Sequence, residues 1–239
     1  MSQIIAHRGD SGHYPENTMK AFKKAIAAGC DAIELDVQRS KDGELVVIHD
    51  ETVNRTTNGT GYVKDLTLKE LRQLKIKKSR FLRPEKIPLL DEVLQWLQNE
   101  AIMCHIELKN DKVRYEGMEK EILQKVAEFK LDNRIVYSSF NLDSVTTLKK
   151  LDSPSEVAFI YNKKGVNPLL LQQTVGADAI HANYRVMTEQ LMRDCQRHGF
   201  PVRLYTLNQV SLIQKWMDAG LSGVITDFPG RALQLKKEK

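Results

Sequence analysis

Short apolar runs rich in β-branched residues alternate with amphipathic segments along the whole chain. This alternation is typical of a parallel β-sheet whose strands are connected by helices. A helix is predicted after each of the eight runs, and Gly29, Gly176, Gly199 and Gly220 lie where helices are expected to end. The predicted strands are residues 3–7, 32–37, 102–108, 134–139, 156–161, 178–182, 201–206 and 223–226.

Eight strand and helix pairs in 239 residues favour an α/β fold of the TIM (β/α)8 type, because closing a parallel sheet into a barrel removes both of its edges. A doubly wound open sheet is the alternative. Residues 50–87 are too long for a plain loop and contain one short helical pattern, Leu68 to Leu74. We therefore predict a single domain, residues 1–239, with a small insertion after the second strand.

Composition excludes several classes of protein. A hydrophobic content of 41% and a charged content of 28% are those of a globular chain, and the three cysteines are far apart, which favours reduced thiols over a disulfide framework. The net charge of +5 is spread over many helices and is concentrated only in residues 75–86 and 236–239. We predict a solvated basic surface with no nucleic-acid partner. Since no window approaches a membrane span or a signal peptide, we also predict a cytoplasmic protein without stable membrane association.

Three carboxylates fall near the carboxyl ends of predicted strands. Glu34 and Asp36 are two residues apart on the second strand and therefore share a face, and Glu107 ends the third. In a TIM barrel these strand ends meet at one mouth, where the three acids would repel each other unless a cation lies among them. All-oxygen ligation favours a hard divalent ion, Mg²⁺ or Ca²⁺.

Basic residues lie at the same ends of the predicted strands. His7 and Arg8 follow the first strand, Lys109 follows the third, and His49 ends the run LVVIH. A guanidinium can hold two phosphate oxygens at once, and imidazoles suit proton transfer near neutral pH. The combination indicates a site for cleaving a phosphodiester.

Six motifs follow one another along the chain: HRGDSGHYPENTMKAF, AIELDVQRSKDGELVVIHDETVNRTTNGTG, IPLLDEVL, IELK, SSFN and GVITDFP. In these motifs, and over essentially its whole length, the sequence resembles the glycerophosphodiester phosphodiesterases. The resemblance implies a TIM barrel with a small insertion, in which the acids Glu34, Asp36 and Glu107 bind the divalent ion. It further implies that His7 and His49 are the acid and base, and that Arg8 and Lys109 contact phosphate.

The expected substrate pocket departs from the family pattern at one position. Tyr205, in LYTLN, stands where family members often have Trp, which is expected to change the shape of the leaving-group pocket. Phe140, Tyr205 and Asn208 are predicted to lie at the mouth of the barrel and to contact the substrate.

The predicted function is metal-dependent hydrolysis of small glycerophosphodiesters to sn-glycerol 3-phosphate and an alcohol, with His7 as base and His49 as acid. One alternative is a related phospholipase acting on membrane lipid, suggested only by Phe81 and Leu82 as apolar anchors. Another is a non-catalytic barrel that binds phosphodiesters. The sequence leaves open the head group, the ion, the nucleophile and whether the protein is a monomer or a homodimer.

Other polar residues receive structural interpretations. His13, His105, His181 and His198 are predicted to be structural or on the surface; His105 is predicted to face the helices, and His181 is kept as a minor candidate for the site. In YPENT, Asn17 is predicted to be a helix N-cap. Glu16, beside it, is predicted to be a first-turn acid or a support for the active site.

Overall fold

The computed structural model describes residues 2–77, 85–151, 154–165 and 167–237. In this part of the chain the strands are β1 (Gln3–Ala6), β2 (Ala32–Arg39), β3 (Leu45–Val47), β4 (Met103–Leu108), β5 (Ile135–Ser139), β6 (Glu156–Tyr161), β7 (Ala179–Asn183), β8 (Val202–Tyr205) and β9 (Gly223–Thr226). The helices are α1 (Met19–Ala28), α2 (Leu68–Gln73), α3 (Leu90–Leu97), α4 (Met118–Glu128), α5 (Leu142–Lys150), α6 (Pro168–Val175), α7 (Glu189–Arg197), α8 (Val210–Asp218) and α9 (Pro229–Lys237).

The sheet closes into a parallel barrel. Strands run in the order β1-β9-β8-β7-β6-β5-β4-β2, and β1 also pairs with β2, in the register Ile5 to Ala32. The last pairing completes the ring, so the TIM barrel is confirmed and the open doubly wound sheet is wrong. Each of the eight predicted strands is present, and its ends lie within two residues of the prediction.

One further strand was not predicted. β3 pairs antiparallel with the end of β2, in the register Val37 to Val47, and so lies outside the barrel ring. Beyond it, residues 50–77 and 85–87 hold α2 and, together with β3 and Ile48, bury a small apolar cluster separate from the main core. The cluster consists of Val46, Ile48, Val53, Val63, Leu71 and Ile87. That 50–87 is an insertion in a single domain stays a prediction. The proposed anchors Phe81 and Leu82 lie outside the described residues.

α1 begins and ends where local chemistry favours it. The hydroxyl of Thr18 accepts a hydrogen bond from the Ala21 amide at the N-terminus, and Gly29 adopts a φ of 93° at the C-terminus. The prediction that Asn17 is the N-cap is wrong by one residue. Asn17 has a φ of 55° and its side-chain amide donates to Asp36 of β2 instead, so this turn is fixed to the mouth of the barrel.

Alternate residues of the strands divide the interior into two regions. Cys104, Ile106 and Leu108 of β4 pack into the large apolar core between barrel and helices. Residues two apart share a face, so His105 points with Glu107 into the barrel, where its ring stacks on that of His181 at 5.4 Å. The prediction that His105 faces the helices is therefore wrong.

Among the described residues no helix is long and apolar enough to cross a membrane.

Candidate active site

The carboxyl ends of the barrel strands surround a cavity of about 440 Å³. It brings together most of the predicted site residues, which lie on or just after six different strands. The predicted residues that line it are His7, Arg8, Glu34, His49, Glu107, Phe140, Tyr205 and Asn208. His181, the minor candidate, also lines it. Asp36 and Lys109 do not line the cavity, but both contact residues that do.

Three carboxylates meet at one side of this cavity. Glu34, Asp36 and Glu107 each offer an oxygen within 4.8 Å of the others, and the three residues are at most 9% exposed. One oxygen of Asp36, Oδ1, is buried without a hydrogen-bond partner. A buried carboxylate oxygen that no protein group satisfies suits a metal ligand. The donor set therefore fits a divalent cation.

The pKa values of these acids reflect their crowding. Burial, together with the charges of Asp36 and Glu107, raises the pKa of Glu34 well above its usual range. Burial also raises the pKa of Glu107, against the opposing charge of Lys109. For Asp36, the cations of Arg8 and Lys109 outweigh burial and hold its pKa low. Three adjacent acids thus cannot all ionise without additional positive charge.

Arg8 connects the turn after β1 to the acids. Its backbone has a φ of 56° and its amide donates to Glu34 Oε2 at 2.9 Å. Its guanidinium donates to Glu16 at 2.8 Å and lies 3.3 Å from Asp36. Although burial opposes the charged form, these acids raise the pKa of Arg8, so it stays a cation beside the cavity. Contact with phosphate stays a prediction for Arg8.

Lys109 lies between the acids and one histidine. Its ammonium donates to Glu107 at 2.8 Å and is 3.4 Å from Nε2 of His49. The same ammonium is 5.7 Å from the centre of the Phe140 ring. Lys109 therefore adds positive charge on the side of the cavity where His49 and Glu107 face each other.

Both predicted catalytic histidines are held by a carboxylate. Nδ1 of His7 is 2.6 Å from Asp227, and Nδ1 of His49 is 2.6 Å from Asp50. A carboxylate at Nδ1 favours the tautomer with its proton there, which leaves Nε2 to accept or donate a proton in the cavity. Burial and the charges of Arg8 and Lys109 lower the pKa of His49, although Asp36 and Asp50 oppose the shift.

Each of the two orienting carboxylates is fixed in turn. Asp227 follows β9 and accepts hydrogen bonds from Asn208 at 2.7 Å and Ser11 at 3.1 Å. Asp50 accepts two hydrogen bonds from Arg55. Despite partial burial, Arg55 and His49 lower the pKa of Asp50 to about 2, and hydrogen bonds from His7 and Asn208 similarly lower the pKa of Asp227 to about 2.

Arg55 was not predicted as a site residue. It connects Asp50, which holds His49, to Glu16, which holds Arg8. Its guanidinium also donates two hydrogen bonds of 2.7 Å to Glu16, which itself binds Arg8. A continuous set of ion pairs thus runs from His49 through Asp50, Arg55 and Glu16 to Arg8. The position of Asp50 next to His49 was a usable signal in the sequence, whereas nothing local distinguished Arg55.

Comparison with known proteins agrees with this geometry. The profile of the glycerophosphoryl diester phosphodiesterase family matches residues 7–231. The chain belongs to this family. A glycerophosphodiester phosphodiesterase of Caldanaerobacter subterraneus subsp. tengcongensis is 38% identical over 98% of both chains. Another from Bacillus altitudinis is 38% identical over 100% of this chain and 99% of its own.

Solved structures give the same result. An Oleispira antarctica phosphodiesterase, in complex with the product sn-glycerol-3-phosphate, is 28% identical and superposes with a TM-score of 0.87 over 99% of this chain and 97% of its own. A glycerophosphodiester phosphodiesterase of Thermotoga maritima is 26% identical, with a TM-score of 0.80 and 98% of both chains covered. The chain is therefore a member of a family of phosphodiester-cleaving enzymes, which removes the non-catalytic barrel as an interpretation.

Proposed function

We propose that this chain hydrolyses glycerophosphodiesters to sn-glycerol 3-phosphate and an alcohol, with His7 and His49 as the proton-transfer pair. The observation that carries the proposal is that two imidazoles, each held by a carboxylate at 2.6 Å, line the same cavity as Glu34 and Glu107. A phosphodiester bound among them has one histidine for each of the two proton transfers.

The histidines divide the work as base and acid. His7 removes the proton of the attacking oxygen, the phosphorus bond to the second alcohol breaks, and His49 donates a proton to the oxygen that leaves. Lys109, 3.4 Å from Nε2 of His49, adds a positive charge that makes the protonated imidazole a stronger acid. The attacking oxygen belongs either to water or to the 2-hydroxyl of the glycerol, and the second route gives a cyclic phosphate first.

Glu34, Asp36 and Glu107 would hold a divalent cation, Mg²⁺ or Ca²⁺. When bound, such an ion supplies Lewis-acid stabilisation of negative charge on the phosphoryl oxygens. Arg8 and Lys109 add fixed positive charge on two further sides. Because both are held by acids at 2.8 Å, their positions are set before the substrate arrives.

Hydrolysis of glycerophosphoglycerol tests the proposal. Formation of sn-glycerol 3-phosphate is measured with a coupled dehydrogenase assay after EDTA treatment, and then during titration with Mg²⁺ or Ca²⁺. We expect hydrolysis that EDTA abolishes and one of the two ions restores. Phosphorus NMR during turnover separates a cyclic intermediate from direct attack by water. Binding of the diester without any metal-dependent hydrolysis would contradict the proposal.

The phospholipase alternative is tested separately. Co-sedimentation with anionic vesicles is expected to show no retention of the protein, and retention together with release of lipid head groups would favour that alternative. A cytoplasmic location, a monomeric or homodimeric state and the absence of nucleic-acid binding stay predictions from the sequence.

A further inference from the structure

The outer wall of the cavity, which is the part built at the carboxyl ends of β7 and β8, carries one charged side chain. It includes the last residues of these strands, Asn183 and Tyr205, and the two residues that follow β7, Tyr184 and Arg185. Among the residues that line the cavity, the acids are Glu34 and Glu107, and both belong to the carboxylate cluster. The charge of the outer wall is therefore that of Arg185.

Local contacts set the position of Arg185. Its backbone amide donates to the Asn183 side chain at 3.0 Å, and the Tyr184 amide donates to the backbone of Tyr205 at 3.0 Å. Its guanidinium lies 4.9 Å from the centre of the Tyr184 ring. Among the described residues no carboxylate pairs with this guanidinium, so its donors remain available to a group in the cavity.

The aromatic rings of the cavity are already engaged. Arg185 covers Tyr184, and Lys109 lies 5.7 Å from the centre of the Phe140 ring. Tyr205 meets Phe140 edge to face at 6.3 Å, and its hydroxyl donates to the Tyr161 carbonyl. A quaternary ammonium group is usually recognised by several free aromatic faces around the cation. Here two of the three rings already have a protein cation beside them.

We propose that this wall selects glycerophosphodiesters whose second alcohol carries an anionic group, with a phosphate as the preferred case, and disfavours those whose second alcohol is a quaternary amine. This inference rests on the proposed function, because it assigns the specificity of that same cavity. Arg185 attracts the anion and repels the cation. Gln209, the N-cap of α8, also lines the cavity without a side-chain capping bond, so the positive end of that helix adds to the same potential.

Three substrates with a common phosphodiester and different charges test the inference. They are glycerophosphoglycerol, the same diester with a terminal phosphate on the second glycerol, and glycerophosphocholine. The wild-type kcat/KM is expected to be highest for the phosphorylated diester and lowest for glycerophosphocholine. Because an exposed ion pair is weak, Arg185→Gln should reduce kcat/KM for the phosphorylated diester by about three- to fivefold, mainly through KM. It should change hydrolysis of glycerophosphoglycerol by less than about twofold.

Matched variants separate a local contact from net charge. Arg193→Gln removes the same charge from α7, where Arg193 pairs with Glu189 outside the cavity, and should leave all three rates unchanged. Arg185→Glu should reverse the order of the phosphorylated and choline substrates. The wild-type preference should also decrease as salt is raised, since an exposed charge is screened.

The outcomes are distinct. If wild type hydrolyses all three diesters and Arg185→Gln leaves their ratios unchanged, or if wild type prefers glycerophosphocholine, the specificity inference is wrong and the proposed function stands. If wild type hydrolyses none of them with either ion, the proposed function is wrong and the inference falls with it.

Discussion

At the scale of single residues, the two imidazoles differ in surroundings, although both are oriented by a carboxylate. His7 is held by Asp227 at 2.6 Å, and the other hydrogen bonds that Asp227 accepts from described side chains come from the neutral residues Asn208 and Ser11. His49 has the ammonium of Lys109 near its Nε2, and the charge of Arg8 also lowers its pKa. The two rings therefore differ in the positive charge around them, and the proposed roles of His7 as base and His49 as acid stay predictions that a pH–rate profile can test.

Replacement of either histidine should stop turnover without unfolding the protein. His7→Ala and His49→Ala are each expected to lower kcat by about 10² or more, because one of the two proton transfers then lacks its group. Circular dichroism should match wild type, since both residues lie at the mouth of the barrel and not in its apolar core. Near wild-type rates in a folded variant would remove that histidine from the mechanism.

Asp50 is expected to act through His49. Asp50→Asn keeps the shape of the side chain but removes the charge that favours the protonated ring, so kcat should decrease by about tenfold or more. The hydrogen bond that His49 donates to Asp50 raises the pKa of His49, and its loss should therefore lower that pKa. If His49 is the acid, the basic limb of the pH–rate profile moves to lower pH. Movement of the acidic limb instead would make His49 the base.

At the scale of secondary-structure elements, segment 50–77 contacts the site through Asp50, which holds His49, and through Arg55. Arg55 donates to both Asp50 and Glu16, and it is the described residue of segment 50–77 that ties the two acids together. Since Glu16 holds Arg8, the conformation of segment 50–77 is linked to Arg8 as well as to His49.

Arg55→Gln should therefore weaken catalysis more than folding. Gln cannot bind two carboxylates at once, so we expect kcat to fall by about tenfold while the free energy of unfolding changes by about 1 kcal/mol or less, as is usual for exposed ion pairs. Steady-state kinetics and urea unfolding measure the two effects. Arg72→Gln, which removes the ion pair to Glu92 away from the cavity, is the matched control and should leave kcat unchanged. Equal changes in kcat for the two variants would show that Arg55 is a surface contact without a role in the site.

The secondary-structure elements also show which parts of the fold and the site could be predicted from the sequence. Strand periodicity placed the eight barrel strands, and the rule that parallel strands end together placed Glu34 and Glu107 in one cavity. β3 was missed because three residues are too few for a periodic signal. Arg55 and Arg185 lie on connecting segments, whose paths depend on contacts with residues distant in sequence. Such contacts leave no periodic pattern in the sequence.

At the scale of the whole molecule, one contact of the site joins the two ends of the chain. His7 follows the first strand and Asp227 follows the last, 220 residues apart in sequence, and these two strands, β1 and β9, pair side by side at a seam of the barrel. The hydrogen bond that orients the proposed catalytic histidine therefore also reinforces this seam. We expect Asp227 to serve both stability and catalysis.

Because the ionised carboxylate of Asp227 takes part in this contact, the stability of the fold should depend on pH. The folded pKa of Asp227 is about 2, below its ordinary value of 3.8, so its ionised form stabilises the fold above pH 4 and this contribution is lost as pH falls towards 2. Because the carboxylate is partly exposed, we expect about 1 kcal/mol from it at pH 7. Urea unfolding of Asp227→Asn and wild type should show that difference at pH 7 and a smaller one at pH 3. Glu44, an exposed acid in the connection between β2 and β3, provides the control, since Glu44→Gln should follow wild type at both pH values. A gap between Asp227→Asn and wild type that stays constant down to pH 3 would mean that the carboxylate stabilises the seam by packing and not by its charge.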